Sequence, residues 1–279
     1  SGVLSVPFAL LSVQWHAHEM FYGFSGAVLV GFLLTASKNW VKVRGIHGLP
    51  LMGLVFLWLF ERFCFYFVGD ASVIVKHVSL SLFLAASGVS VIRTLLINRQ
   101  NDSFDDNYFF VLLLILILVA KNLLISNSYY VSGVGMTVGL FRLAFVVMFE
   151  RTITQFMKNT EGVELYRNKV LNTLIKTVVL LTAFASFLPN QVVLPLLIAA
   201  FCLLSFRWIV WRPDIGFRKF GNATMYLGYL GLLIHYLFEI LQLTGVWSFG
   251  TVTLHSFTLL CLGLVVPSML IRVSQGHTG

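Results

Sequence analysis

Charged residues are scarce in this chain. Lysine, arginine, aspartate and glutamate make up only 11% of its 279 residues, while hydrophobic residues make up 58%. A soluble domain carries roughly a quarter charged residues, and a chain of this length needs that polar surface to stay in water. The composition therefore excludes a soluble globular protein and favours a protein whose main partner is the lipid bilayer.

Cysteine is also scarce, and its spacing excludes two common kinds of site. Cys64, Cys202 and Cys261 are far apart, and each lies inside an apolar run. This distribution is typical of neither a disulfide framework nor a paired-cysteine metal site. No cluster of cysteine or methionine accompanies the histidines, which argues against a dedicated copper(I) relay.

Apolar stretches of about 20 residues, enough to cross about 30 Å of hydrocarbon, recur along the chain. Nine of them are predicted to span a membrane, at residues 16–36, 49–68, 71–97, 106–125, 130–149, 170–188, 191–211, 222–243 and 249–272. The breaks between them leave no room for a soluble domain. We therefore predict an all-α, polytopic bundle of transmembrane helices that forms one integral-membrane domain over residues 1–279.

Basic residues alternate between the predicted loops. The first, third, fifth and seventh breaks hold lysines and arginines, whereas the intervening breaks hold none. Because Lys and Arg mark cytoplasmic loops, this pattern puts residues 1–15 on the outer side. A nucleic-acid-binding protein shows its basic residues as a stripe on a soluble fold, so nucleic acid is excluded as a partner.

Five of the seven histidines are predicted in the outer half of the membrane once the spans are oriented. They are His16, His18, His77, His235 and His255. Four charged residues fall in the same half, namely Glu19, Lys76, Lys121 and Glu239. Charged side chains are costly when they face lipid, so one polar site in the outer half accounts for both sets.

The segment His16-Ala17-His18-Glu19 holds three potential ligands or proton carriers in four residues. Rings that only sit at the membrane interface are the alternative interpretation. In a helix, side chains two positions apart point about 200° away from one another, so a helical His16 and His18 cannot share one metal. His235 and Glu239, four positions apart, suit either a ligand with its supporting carboxylate or a buried structural hydrogen bond.

Arg142 is predicted near the middle of the fifth span, where its charge needs an anion, a carbonyl oxygen or a haem propionate. Glu61 and Arg62, midway through the second span, offer a partner or form an ion pair used only for packing. Gly135 and Gly139, four positions apart, form a small-residue stripe in the fifth span on the helix face that carries Arg142.

A second small-residue stripe, Gly23, Ala27 and Gly31, lies on the face that carries Glu19. Stripes of this kind let membrane helices approach closely.

Four short segments together form a distinctive set. They are Trp15-His16-Ala17-His18-Glu19-Met20, Gly31-Phe32-Leu33-Leu34-Thr35-Ala36 with Asn39-Trp40, Leu254-His255, and Arg272-Val273-Ser274 with Gly276-His277-Thr278-Gly279. In these segments the chain resembles the NnrS family of bacterial inner-membrane proteins. The family resembles a twelve-span protein, so the chain is expected to be a fragment with one span before Ser1 and about two after Gly279.

The resemblance implies a haem- and copper-containing membrane protein of nitric oxide metabolism, in denitrifying bacteria or bacteria under nitrosative stress, and it assigns no reaction. It implies an inner-membrane location with residues 1–15 periplasmic. His16, His18 and Glu19 match the family signature, and His255 and His277 match its later histidines. Arg151 and Asn159 match the ends of a cytoplasmic arginine-rich motif.

Three positions depart from the family pattern. Glu150 stands where the family usually has Gly, Thr154 where it has Pro, and Tyr226 where many members have His. A full complement of metal ligands therefore requires His235, one or two turns beyond Tyr226, to take over.

The leading hypothesis is a protein that binds nitric oxide at haem or copper. Neutral imidazole suits both metals in a membrane, because it adds no negative charge to a low-dielectric site. The predicted ligands are His16, His18 and His255, with His235 and His277 as further candidates, and Glu19 as supporting carboxylate or proton carrier.

The alternative hypothesis is a proton-coupled transporter that uses the same histidines with Glu19, Arg142 and Glu61 and needs no cofactor. Discontinuous helices would favour it, and no two spans show matched Gly or Pro interruptions.

Overall fold

The computed structural model describes residues 10–69 and 71–269. Within these ranges all regular elements are helical and there is no strand, so the predicted all-α class is confirmed. The helices, numbered in chain order, are α1 Ser12–Trp40, α2 Leu49–Phe67, α3 Val73–Ser79, α4 Leu82–Ile97, α5 Tyr108–Ile125, α6 Tyr130–Glu161, α7 Lys169–Thr182, α8 Asn190–Val210, α9 Phe220–Leu243 and α10 Thr251–Met269. Short helical turns lie at Arg99–Asn101, Ala185–Phe187 and Pro213–Gly216.

Seven helices in the described ranges are long and apolar enough to cross a membrane, namely α1, α2, α5, α6, α8, α9 and α10. Helices α3 and α4 pass the same test only as a pair that bends by 51° at a short break, which makes eight spans if the pair is one broken span. The predicted counts of nine spans here and twelve in the family are not supported.

The sixth predicted span, at residues 170–188, accounts for the difference. It forms α7, which has 14 residues, followed by the short turn Ala185–Phe187. Fourteen helical residues rise by about 21 Å, which is less than the roughly 30 Å of a hydrocarbon core. Hydropathy alone made this segment look continuous, because the turn that interrupts it is apolar as well.

Local sequence explains where several helices begin. Gly48 has a φ of +62°, which glycine adopts readily, and Pro50 occupies the first turn of α2. The side chain of Asn168 accepts a hydrogen bond of 3.0 Å from the backbone N–H of Leu171 and caps α7. Gly250, with a φ of +54°, precedes α10.

The chain divides into two compact units, Ser1–Thr137 and Val138–Gly279, with the boundary inside α6. In the first unit α4 packs against α1, α2 and α5. In the second unit α9 packs against α8 and α10, and α7 packs against α8. A single integral-membrane domain over residues 1–279 stays a prediction.

The small-residue stripes differ in what they face. A Cβ atom at Gly139 would lie 2.3 Å from the Cα atom of Ala183, so the close approach predicted for α6 is confirmed at this position. At Gly23 a Cβ atom would lie 2.6 Å from Arg62 Nη2, so this glycine makes room for a charged side chain rather than for a helix backbone. Gly31 faces open space.

We predict that Gly139→Ala lowers the free energy of unfolding, because the added methyl group meets backbone that cannot move aside. Overpacking of this kind costs about 1–3 kcal/mol. The matched control is Gly31→Ala, where nothing lies within 4 Å and alanine gains up to about 1 kcal/mol of helix propensity. Unfolding in detergent, followed by circular dichroism, measures both. Equal stability of the two variants would contradict the close packing.

Candidate functional site

His18 lies in the first turns of α1 and its side chain is fully buried. Its Nδ1 atom is 3.0 Å from Glu19 Oε1, and since a carboxylate accepts hydrogen bonds, Nδ1 is the donor. The ring packs edge-on against Phe65, with centroids 5.0 Å apart. Its other nitrogen, Nε2, is buried and has no hydrogen-bond partner among the described residues. The Nε2 lone pair is therefore available to a ligand.

The helix widens directly after His18. Residues Glu19–Ser25 form a π-helix, a rare conformation that is often found at functional sites. The hydroxyl group of Ser25 donates a 2.6 Å hydrogen bond to the carbonyl oxygen of Met20 inside this stretch. A second π-helix, Phe257–Leu262, follows His255 in α10. The helices that carry His18 and His255 therefore each continue into a π-helix.

Within the first unit, a series of ion pairs links Glu19 to Lys121. Arg62 Nε lies 3.3 Å from Glu19 Oε2, and Arg62 Nη1 lies 3.7 Å from Glu61 Oε2. The fully buried Lys121 donates a 2.9 Å hydrogen bond to the fully buried Glu61. The two carboxylates and the two cations balance in charge, so this series of ion pairs can lie among apolar helices.

Arg62 is held in place by Trp58, one turn earlier in α2. Its guanidinium group lies over the Trp58 ring, 4.2 Å from the centroid, and donates to the Trp58 carbonyl oxygen at 2.7 Å. The indole N–H of Trp58 donates in turn to the carbonyl oxygen of Gly23. Since Arg62 also contacts Glu19, these bonds fix the carboxylate that orients His18.

The other predicted residues of the first unit lie apart from this site. His16 is exposed and lies in the same α-helical segment as His18, so the two meet the condition under which helix geometry keeps them from sharing one metal. His77 is half-buried in α3, and its Nδ1 atom is 2.8 Å from Asn122 Oδ1.

In the second unit, Arg142 pairs with Glu239. Its Nη2 atom donates a 2.6 Å hydrogen bond to Glu239 Oε1, and its guanidinium group lies 4.9 Å from the centroid of the Tyr236 ring. Of the two alternatives for Glu61 and Arg62, the structure has the ion pair: Glu61 lies 3.7 Å from Arg62 and also pairs with Lys121. The sequence placed these charged residues within apolar spans, but it did not show which side chains they contact.

His235 is buried on the same face of α9 as Glu239. Its Nδ1 atom lies 2.7 Å from the carbonyl oxygen of Thr253, so Nδ1 is the donor. Its Nε2 atom has no hydrogen-bond partner among the described residues, since Glu239 Oε1 is 3.6 Å away. This repeats the arrangement at His18, with one ring nitrogen fixed and the other unused.

The remaining predicted ligands are His255 and His277. His255 is exposed, and its Nδ1 atom donates to the carbonyl oxygen of Thr251 in its own helix at 2.8 Å. His277 lies outside the described residues. No group of three or more His, Cys, Asp or Glu side chains that could hold a metal ion occurs in the described part of the chain.

Sequence reasoning missed two buried cations of the second unit. Lys176 lies 2.8 Å from Glu150, which also accepts a 2.8 Å hydrogen bond from Asn172. Arg207 donates to the Tyr229 hydroxyl group at 3.1 Å. The signal was available, because both are charged residues within predicted spans, as Lys121 is.

The three departures from the family pattern all have partners in the structure. Glu150 binds Lys176, and Thr154 accepts a hydrogen bond from Arg167. The hydroxyl group of Tyr226 donates to the carbonyl oxygen of Trp211. Each of these unusual residues is therefore part of a local hydrogen-bond or ion-pair arrangement.

The motif that is predicted to be cytoplasmic lies at the end of α6. Arg151 is buried and Asn159 is exposed. Next to them is an open cavity of about 440 Å³, lined by Thr154, Gln155, Lys158, Glu164, Leu165 and Arg167. Lys158 donates a 2.6 Å hydrogen bond to Glu164 and lowers the pKa of that carboxyl group.

Long apolar helices with buried ion pairs and buried histidines define a polytopic, all-helical membrane protein. A family model described as NnrS protein matches residues 2–279, so the chain belongs to the NnrS family. Membership of this family fits a membrane protein related to nitric oxide. No curated protein and no solved structure shows a significant match to the chain.

We predict that Lys121→Met lowers the free energy of unfolding by about 3–5 kcal/mol, because it leaves the buried Glu61 carboxylate without its main partner. The double variant with Glu61→Gln should recover part of this loss. The matched control is Lys158→Met, which breaks an exposed Lys–Glu pair and should cost less than about 1 kcal/mol. Unfolding in detergent micelles measures all three. A loss at Lys121 no larger than that at Lys158 would contradict the buried pair.

Proposed function

We propose that this protein binds haem through buried histidines and acts in nitric oxide metabolism. The observation that carries the proposal is the environment of His18, with Nδ1 fixed by Glu19 and Nε2 buried without a partner among the described residues. A histidine that ligates a metal usually donates its other N–H to a carboxylate or a carbonyl oxygen. The residues present therefore fit a haem ligand.

Haem is the cofactor that a single buried imidazole suits best, because its iron takes only one or two protein ligands. When bound, haem would supply an iron centre that binds nitric oxide. The chain's own residues do the rest. Glu19 orients the His18 ring and raises its basicity, Arg62 fixes Glu19, and Phe65 and Tyr22 shield the ring from water.

His235 offers a second ligand of the same kind in the second unit. Its Nδ1 atom donates to a backbone carbonyl oxygen instead of a carboxylate, which is the other common support for a ligating histidine. Its position nine residues after Tyr226 agrees with the expectation that it replaces the histidine of other family members.

Copper remains part of the proposal on the strength of the family alone. Imidazole suits copper, and His16 in the first unit and His255 in the second are separate candidates for a copper ligand. His16 and His255 are exposed in the structure.

The test is the optical spectrum and metal content of the purified protein, with and without nitric oxide. We expect a Soret band that shifts with nitric oxide and a loss of haem in His18→Ala. We expect Glu19→Gln to weaken haem binding by about tenfold to a hundredfold, as loss of a supporting carboxylate does. The matched control is His47→Ala, which removes an exposed loop histidine and should leave haem content unchanged.

Two results would overturn the haem proposal. One is a folded, colourless protein that takes up no haem on reconstitution. The other is a His18→Ala variant that has the haem content and the nitric oxide spectrum of the unsubstituted protein.

A proton-coupled transporter is the second candidate, and the broken helix favours it. Helices α3 and α4 meet at 51°, and Asn122 donates to Ser81 at the break. Discontinuous helices form the substrate sites of many transporters. If the protein is colourless, proton movement into proteoliposomes on addition of nitrite, lost in Glu61→Gln, would support this function. Its absence would exclude nitrite as the coupled substrate.

We further propose that the protein lies in the bacterial inner membrane with residues 1–15 on the periplasmic side. The connections after α1, α4 and α6 carry Lys and Arg, whereas those after α2 and α5 carry none. The basic connection after α8 lies on the same side as these basic connections only if α7 and the turn after it complete a crossing. An alkaline phosphatase fusion after Asn127 should therefore be active, and one after Asp102 inactive. The reverse result would invert the topology.

A further inference from the structure

Arg142 is buried, yet most of the N–H donors of its guanidinium group lack a hydrogen-bond partner in the described part of the chain. Its side chain is 4% exposed. Only Nη2 has a hydrogen-bond partner in the described part of the chain, while Nε and Nη1 are buried and have none. An unpaired donor on a buried charged group is costly, and buried polar groups almost always have partners.

The neighbours of Arg142 stabilise its charge but leave these donors unused. The guanidinium group lies over the Tyr236 ring, 4.9 Å from its centroid, and also interacts with the Tyr236 hydroxyl group, which stabilises the cation. Neither contact gives Nε or Nη1 a hydrogen-bond partner in the described part of the chain. Glu239 uses one oxygen, Oε1, for Arg142, and the same oxygen is 3.6 Å from His235 Nε2. Arg142 and His235 therefore both lie near the same carboxylate oxygen.

We propose that Arg142 binds the carboxylate or small oxyanion group of a ligand within the second unit. An oxyanion supplies the acceptor atoms that Nη1 and Nε lack, and Arg is the side chain best suited to bind it. The unused Nε2 atom of His235 is close to the same carboxylate, so a ligand held by Arg142 can reach it.

Two sources can supply this group. One is a propionate of haem bound through His235, and this version rests on the proposed function. The other is a free small anion such as nitrite, and this version does not. Haem dimethyl ester separates them, because it keeps the iron and the ring but lacks free carboxylates.

The experiment measures binding of haem and of haem dimethyl ester to the metal-free protein, and of nitrite to the same protein by calorimetry. If the source is a propionate, the unsubstituted protein should bind haem about tenfold to a hundredfold more tightly than the ester, the effect of one charge-assisted hydrogen bond. Arg142→Gln should remove that preference. If the source is a free anion, nitrite should bind and Arg142→Gln should abolish binding.

Controls keep the proposal falsifiable. Arg212→Gln removes an exposed arginine paired with Asp214 and should change neither measurement. If Arg142→Gln does not fold, Arg142→Lys keeps the charge but loses the planar N–H donors, and should weaken the same binding.

The proposal is overturned if haem and its ester bind equally while nitrite does not bind, or if no binding depends on Arg142. A protein that binds nitrite through Arg142 but takes up no haem would refute the haem proposal alone.

Discussion

The ion pair between Lys121 and Glu61 is the constraint on which the first unit depends. Both side chains are fully buried, and neither charge is tolerable alone among apolar helices. Because Glu61 is held by Lys121 and by the backbone N–H of Phe83, it provides a fixed negative charge beside Arg62. Arg62 then holds Glu19, and Glu19 holds His18. The geometry of the candidate ligand in α1 therefore depends on a charge pair between two other helices, α2 and α5.

The second unit follows the same rule with different residues. Arg142 pairs with Glu239 and Lys176 pairs with Glu150. In each unit a histidine next to such a pair has Nδ1 fixed and Nε2 unused. Saturated hydrogen bonding is the norm for buried polar atoms, so two imidazoles with the same open nitrogen indicate the same use. That regularity is the main reason to prefer a ligand-binding protein over a purely structural role for these histidines.

Which charged residues lie within long apolar helices was predictable, but the direction in which each side chain points was not. Hydropathy and basic loops placed Lys121, Arg142 and Glu239 inside spans, and all three are in helices that can cross a membrane. The sequence left the partner of Arg142 open, because a charge within a span can face any neighbouring helix. The exposed His255 shows the same limit, since its depth suggested a ligand while its side chain turns away from the core.

The sequence by itself determined the all-α class, the membrane as solvent, the NnrS family and the HAHE segment as the place to look for chemistry. These follow from composition and short-range pattern, which need no knowledge of packing. Only the tertiary structure decided that α7 is short, that α3 and α4 bend against each other, and that His18 rather than His16 is buried. Such features depend on which helices meet, and contacts between residues distant in the chain leave no periodic trace in it.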